Sequence, residues 1–393
     1  MTELRITVKN TAPVGGTFTT PFYFGFHDGA FDLFDAGAEA SPGLEALAED
    51  GSFGAIAAER LAVSPDSEGV VVAGEGGPIA TQEVTSQIVN IDGSVNTSVS
   101  FGAMILPSND AFVGTDDALV LFDEHGRFTG AQTVTFSGED VYDAGTEVNT
   151  ELDAAFINQT GPNTGVDENG VIRLHPGFNG SAGNPVGEGD QIILGGTNAF
   201  GAEIDPVAAD FTLPGAQIAV VHINTVVERT GTDGRDIIIG RRDDDIVDAG
   251  AGNDIVFGGR GWDVIDGGAG RDFLRGGAGD DQINGGDGRD KVSGGSGDDL
   301  LAGGAGRDYL TGGRGDDTFL FAAGDGHDTI WDFDRRGDDV LVLDIEGVDS
   351  FADVQGAIEY RFFGVELDFG DAGSIFLARN SASSLTEDDF MFV

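Results

Sequence analysis

Ten nonapeptides follow one another without a gap from residue 231 to residue 320, and they restrict the fold of this chain more than anything else in it. The most regular read Gly267-Gly-Ala-Gly-Arg-Asp-Phe-Leu-Arg275, Gly276-Gly-Ala-Gly-Asp-Asp-Gln-Ile-Asn284 and Gly303-Gly-Ala-Gly-Arg-Asp-Tyr-Leu-Thr311. The sixth position is always Asp: Asp236, Asp245, Asp254, Asp263, Asp272, Asp281, Asp290, Asp299, Asp308 and Asp317. The eighth is always large and apolar: Ile238, Val247, Val256, Ile265, Leu274, Ile283, Val292, Leu301, Leu310 and Phe319. A flexible Gly/Asp linker has no reason to hold two residue types in phase over such a length. A solenoid must, because each short repeat buries its apolar side chain only by stacking on its neighbours. Two nonapeptides make one coil of 18 residues, so each turn is expected to lie on the turn two repeats later, with its eighth residue pointing inward from a short strand.

The same stretch holds 19 Asp, no Glu and 26 of the 65 Gly. Charge alone does not distinguish Asp from Glu, so the short carboxylate is needed at a fixed place. Glycine permits tight, partly left-handed turns that leave carbonyl oxygens free to face a cation. Hard anionic and carbonyl oxygens together suit calcium, which takes 6–8 oxygen ligands. The pattern resembles the calcium-binding repeats of RTX proteins, and the resemblance implies a parallel β-roll with Ca2+ between coils, the sixth-position aspartates as ligands. Stacking every second repeat gives at most eight pairs among ten repeats, so six to eight ions are expected. The first three repeats lack the opening double glycine, and Asp243 replaces the fourth-position glycine of the second, which weakens the expectation at that end. The fifth position alternates over the last six repeats: Arg271, Asp280, Arg289, Asp298, Arg307, Asp316. One edge of the roll should therefore carry Arg-Asp pairs and the other Asp-Asp pairs, with tighter calcium binding along the second.

Across all 393 residues, 69 acidic side chains face 20 basic ones, a formal charge of -49. Such a field disfavours nucleic acid and anionic lipid as partners and favours divalent cations. Cysteine is absent, which removes disulfides, thiolate metal sites and a cysteine nucleophile. No apolar run reaches the ~18 residues that suggest a membrane span. Residues 1–9 enter an alternating strand pattern with no basic and apolar leader before it, so no cleaved signal peptide is expected.

Residues 1–229 read as an antiparallel β-sandwich. Candidate strands lie at 4–9, 18–26, 84–91, 97–106, 118–122, 131–136, 191–194 and 217–227; in the last, Ala219, Val221, Ile223 and Val227 share a face. One helical stretch interrupts them around 42–61, with Ser41 as N-cap and Pro42 at the first helical position. Three segments carry a resemblance to the spondin domain: His27-Asp-Gly-Ala-Phe-Asp-Leu-Phe34 with Ala40-Ser-Pro-Gly-Leu-Glu-Ala-Leu-Ala-Glu49, then Met104-Ile-Leu-Pro-Ser-Asn-Asp-Ala-Phe-Val-Gly114, then Val141-Tyr-Asp-Ala-Gly-Thr-Glu-Val-Asn149. The resemblance implies a two-sheet extracellular binding domain with calcium held by loop carboxylates, here Asp110, Asp143 and Glu147. Animal members usually have Asp where Glu147 stands.

Residues 321–393 resemble the region that caps RTX rolls and carries an uncleaved type I secretion signal, ending in Asp388-Asp-Phe-Met-Phe-Val393. Together these readings divide the chain at 1–229, 230–320 and 321–393, as an all-β, extracellular, calcium-binding protein. A matrix, cell-surface or glycan ligand is expected for the sandwich, and the type I secretion machinery as a partner. Catalysis is not expected: the five histidines form no His-Glu-x-x-His, Gly-x-Ser-x-Gly is missing, and neither lysine follows a glycine. His27 reads as a structural histidine at a strand end. The competing readings are a hydrolase with an unrecognised site in 1–229, discriminated by a deep cleft with converging acids, and a self-associating surface-layer component.

Overall fold

The computed structural model describes residues 1–12, 16–74, 77–106, 111–144, 172–174, 196–197, 203–204, 216–333 and 339–392. The chain divides into two compact units, Met1–Thr225 and Val226–Val393.

In the first unit, strand Thr2–Asn10 pairs antiparallel with Val84–Ile91 on one side and with Gln217–Thr232 on the other, up to Leu4↔Thr225; Gln132–Ser137 adds beyond. A second antiparallel sheet runs Val141–Asp143, Ala111–Gly114, Ser98–Leu106, Phe22–His27, Glu68–Val72. The two pack face to face through Leu4, Ile6, Val8 and Val221 from one and Phe22, Phe24, Phe26 and Phe101 from the other. Phe24 and Phe101 stack at 4.9 Å between ring centroids.

The predicted strand 18–26 is broken at Pro21, which has no N–H to give to a ladder. Every residue of Phe22–His27 is buried, because its other face is covered too. The helical stretch forms two helices there, Pro42–Asp50 and Gly54–Val63. Ser41 Oγ accepts the Leu44 N–H at 3.1 Å, and the first helix ends at Gly51 in the left-handed region, φ 62°. Their apolar faces bury Leu44, Leu47 and Ile56 against Tyr23 and Phe112. Val226, not Val227, is the buried residue late in Gln217–Thr232, since pairing changes there from antiparallel to parallel. The predicted strand 191–194 lies outside the described residues.

The second unit contains the coil, about six turns over residues 226–344. Odd and even nonapeptides build two separate parallel ladders. One runs through Ile255–Arg260, Phe273–Ala278, Lys291–Ser296 and Tyr309–Arg314; the other through Val264–Asp266, Gln282–Asn284, Leu300–Ala302 and Thr318–Ala322. Partners such as Leu274↔Val292 and Ile283↔Leu301 are one coil apart, as the repeat requires. The eighth-position residues from Val247 to Phe319 form one continuous apolar column between the ladders. Glycine is indispensable at the corners: Gly277 sits at φ 136° and Gly279 at φ 119°, and a Cβ on either would strike the carbonyl oxygen of Gly259 or Gly261 one coil below.

The parallel coil continues past residue 320. Thr318–Ala322 pairs with Val340–Asp344, and Tyr309–Arg314 with Gly326–Ile330. Strands Phe390–Phe392 and Gly373–Ala378 extend the two ladders once more, the latter continuing into the antiparallel strands Gly364–Asp368 and Ile358–Arg361. Helix Phe351–Ala357 buries Val354 in the same core, which closes with Leu385 and Phe390. An open solenoid end would leave that apolar column in water.

Candidate metal centre

The sixth-position aspartates stand in two rows, one per ladder. In each row the backbone N–H of one aspartate donates to Oδ1 of the aspartate one coil ahead. In one row Asp236 donates to Asp254 (2.7 Å), Asp254 to Asp272 (2.7 Å), Asp272 to Asp290 (2.8 Å) and Asp290 to Asp308 (2.7 Å). In the other, Asp245 donates to Asp263 (2.8 Å), Asp263 to Asp281 (2.9 Å), Asp281 to Asp299 (2.8 Å) and Asp299 to Asp317 (3.0 Å). The ladder bond fixes each carboxylate's rotation, so Oδ2 is presented at the same place in every coil.

Two members of these rows were missed in the sequence. Asp308 donates to Asp328 Oδ1 at 2.9 Å, and Asp317 to Asp339 Oδ1 at 3.1 Å. The spacings are 20 and 22 residues, because the connections lengthen beyond the last nonapeptide. The signal that could have found them is the Asp-x-apolar phase itself, kept in Asp328-Thr-Ile330 and Asp339-Val-Leu341.

All of these carboxylates except that of Asp236 are buried. Oδ2 of Asp254, Asp272, Asp281, Asp290, Asp299 and Asp308 has neither solvent nor a hydrogen-bond partner. Burial without compensation favours the neutral acid: loss of solvent raises Asp281 to about 9, Asp299 to about 8, and Asp290 and Asp317 to about 7, with neighbouring carboxylates adding to the effect. Asp308 and Asp328 are raised for the same reason. Regularly spaced, orphaned anionic oxygens beside glycine turns fit a hard divalent cation, which would remove this penalty. Among the described residues no three acidic or imidazole side chains converge on one point. Such an ion would therefore need backbone carbonyls for the rest of its shell, and the glycine turns hold these in quantity.

The irregular end of the coil is different. Asp245 is bonded to Arg229 Nε at 2.5 Å, and Asp236 Oδ2 accepts from the backbone N–H and the hydroxyl of Thr232, both at 2.7 Å. Part of the acceptor capacity of each is therefore already used.

The fifth-position aspartates lie on one row only and form a ladder of opposite sense: Asp298 N–H donates to Asp280 Oδ1 (3.0 Å) and Asp316 N–H to Asp298 Oδ1 (2.9 Å). Asp280 and Asp298 thereby add their charge to the Asp281–Asp299–Asp317 row. The opposite row carries Arg271, Arg289 and Arg307 at these positions. Two classes of calcium site should appear in an isothermal titration of the full chain, the tighter on the Asp-Asp row, and Asp298→Asn should weaken only that class. A single class unaffected by the substitution would refute the distinction.

In the first unit, Asp143 is fully buried at the end of Val141–Asp143, opposite Ala111. Asp110 and Glu147 lie outside the described residues. His27 is buried; the Gly29 N–H donates to its Nδ1 at 3.0 Å, so Nε2 carries the proton and faces Ser100 Oγ at 3.1 Å. Burial lowers its pKa to about 4, which keeps it neutral. Both ring nitrogens are spent on holding the strand end. Among the described residues no helix is long and apolar enough to cross a membrane.

A parallel coil with two rows of cation-seeking aspartates defines a calcium-binding β-solenoid protein. The chain carries the RTX calcium-binding nonapeptide repeat in four matches, at residues 230–261, 257–292, 284–319 and 293–330, and a Spondin_N domain at 18–164. Neither is an enzyme family. No curated protein matches the chain. Among solved structures, the extracellular lipase LipA from Serratia marcescens is similar over 43% of this chain and 42% of that one, at 19% identity and a TM-score of 0.22. That match spans less than half of the lipase, and at so low a score it bears no argument.

Proposed function

We propose that this is a secreted, non-enzymatic binding protein whose coil folds when calcium arrives outside the cell. Its spondin-type unit would then contact a matrix, cell-surface or glycan ligand. The observation that carries the reading is the set of six buried carboxylate oxygens without partners, on Asp254, Asp272, Asp281, Asp290, Asp299 and Asp308. With Asp263 and Asp317 they are the proposed ligands, extended by Asp328 and Asp339, while Asp236 and Asp245 contribute least. Calcium would supply positive charge where the chain has concentrated negative charge. The chain's own residues do the rest: Asp N–H groups orient the next carboxylate, glycines bring carbonyls close, and the apolar column excludes water.

Scarce calcium inside a cell leaves such a chain loose enough to be exported, because carboxylate repulsion and glycine entropy both oppose folding. Calcium in excess outside reverses that balance. The C-terminal region, 321–393, is proposed to carry the type I signal. Expression of the full chain beside a type I transporter should place it in the medium, and deletion of the last dozen or so residues should keep it inside. Release that persists without the transporter would overturn this part of the reading.

A further inference from the structure

The second unit carries a feature that borders the calcium row at Asp328 but that calcium binding does not explain. A cavity of about 800 Å³ opens beside the last coil, walled by Tyr309, Trp331, Phe362 and Phe363. Phe362 is 91% exposed and Phe363 71% exposed, at the turn between Ile358–Arg361 and Gly364–Asp368. The two rings pack on each other in this exposed turn, 4.4 Å between centroids, and a pair of phenylalanines left in water is the usual sign of a contact surface.

Around them basic side chains outnumber acidic ones, against the balance of the whole chain: the acids of the cavity lining are Glu366 and the buried Asp328. Three of the chain's 20 basic side chains, Arg307, Arg361 and Arg379, line this one cavity. Among the described residues the guanidiniums of Arg307 and Arg379 have no ion-pair partner. Arg379 occupies the left-handed region at φ 69°, a costly conformation for a long side chain and one that the surrounding structure must hold in place. Arg361 is fixed by Glu359 (2.6 Å) and Glu366 (2.5 Å); Glu366 also accepts from Ser374 Oγ (3.0 Å), which lies 2.9 Å from His327 Nδ1. The floor is thus a prearranged row of donors and acceptors. Along the same ladder Arg289 reaches Tyr309 OH at 2.8 Å and lies over its ring, and Lys291 lies over Phe273, each 5.3 Å from the centroid. Cation and aromatic recur from coil to coil, about 4.8 Å apart.

We propose that this cavity and the ladder leading to it bind an acidic polysaccharide. Apolar faces of sugar rings would stack on Tyr309, Trp331 and Phe362, hydroxyls would meet the His327–Ser374–Glu366 row, and sulfate or carboxylate groups would pair with Arg307 and Arg379. A phosphatidylserine bilayer lacks the neutral hydroxyls that the floor would receive. The remaining negative charge of the chain is screened beyond about 8 Å at physiological salt. The inference is independent of what the spondin-type unit binds.

The test is titration of the calcium-loaded full chain with dextran sulfate, dextran, poly-glutamate and phosphatidylserine vesicles. Dextran sulfate should bind with strong salt dependence, and the other three much more weakly. Arg307→Gln with Arg379→Gln should lower the affinity about tenfold, the loss expected for removed charge-assisted hydrogen bonds. Phe362→Ala with Phe363→Ala should lower it as well; both side chains are exposed, so this pair leaves the fold intact even if the arginine pair does not. Absence of dextran sulfate binding, equal binding of poly-glutamate, preference for vesicles, or unchanged affinity in the Phe362/Phe363 variant would each overturn the proposal.

Discussion

Exhaustive chelation of calcium is expected to abolish the ordered state of the coil while leaving the sandwich folded. Without the ion, the coil must bury two rows of carboxylates whose Oδ2 atoms have nothing to bind, and order a backbone with glycine at most of its corners. Each occupied site adds RT ln(1+[L]/Kd), about 2.7 kcal/mol when calcium exceeds Kd a hundredfold. A few such sites already rival the whole net stability of an ordinary domain, about 5–15 kcal/mol. The sandwich core, by contrast, is a closed set of aliphatic and phenylalanine side chains that needs no ion. The molecule has a built-in reporter for the difference, since both tryptophans, Trp262 and Trp331, belong to the second unit. Chelation should shift the emission of Trp262 to the red and cut the far-ultraviolet β signal, and added calcium should restore both. Unchanged spectra after complete ion removal would refute calcium-driven folding.

The second large effect is one of pH, and its sign depends on calcium. Burial raises the folded-state pKa of Asp281, Asp299, Asp290 and Asp317 to between about 7 and about 9, against 3.8 for a free aspartate. A raised pKa means that the folded state binds protons more tightly than the unfolded one. The associated stability is complete below pH ~4 and is lost as pH rises through these values, with a summed effect of several kcal/mol. In chelator, the ordered fraction of the second unit, followed by tryptophan emission, should therefore rise from near zero as pH falls from 9 to 5. In calcium it should fall instead, because protons displace the ion from its carboxylates. Asp281→Asn separates this from the general relief of a charge of -49. It should stabilise the calcium-free coil at pH 8, flatten its pH dependence, and weaken calcium binding. A chelated coil that became more stable with rising pH would contradict the buried, ion-free carboxylates described above.

How far the sequence reached differs between the two units. Phase alone sufficed for the coil: Asp at the sixth position and an apolar residue at the eighth, ten times, identify the two ladders, the inward column and the aspartate rows. Phase also explains the omission of Asp328 and Asp339, whose connections insert residues and break the period that made the others visible. In the sandwich, alternation located most strands, but not that every residue of Phe22–His27 is buried on both sides. A strand cannot report a second covering layer until the helices Pro42–Asp50 and Gly54–Val63 are known to lie on it. The cavity bounded by Arg307, Trp331, Phe362 and Arg379 left no motif at all, because its parts come from separate elements.

The sequence by itself determined the repeat, the kind of ion it seeks and the two-edged distribution of Asp280, Asp298 and Asp316 against Arg271, Arg289 and Arg307, since all three follow from a local period. Tertiary structure alone decided where the coil stops, which carboxylate oxygens are left without partners, and which arginines meet exposed aromatics. Those depend on burial and on distances between residues far apart in the chain, and a linear pattern carries neither.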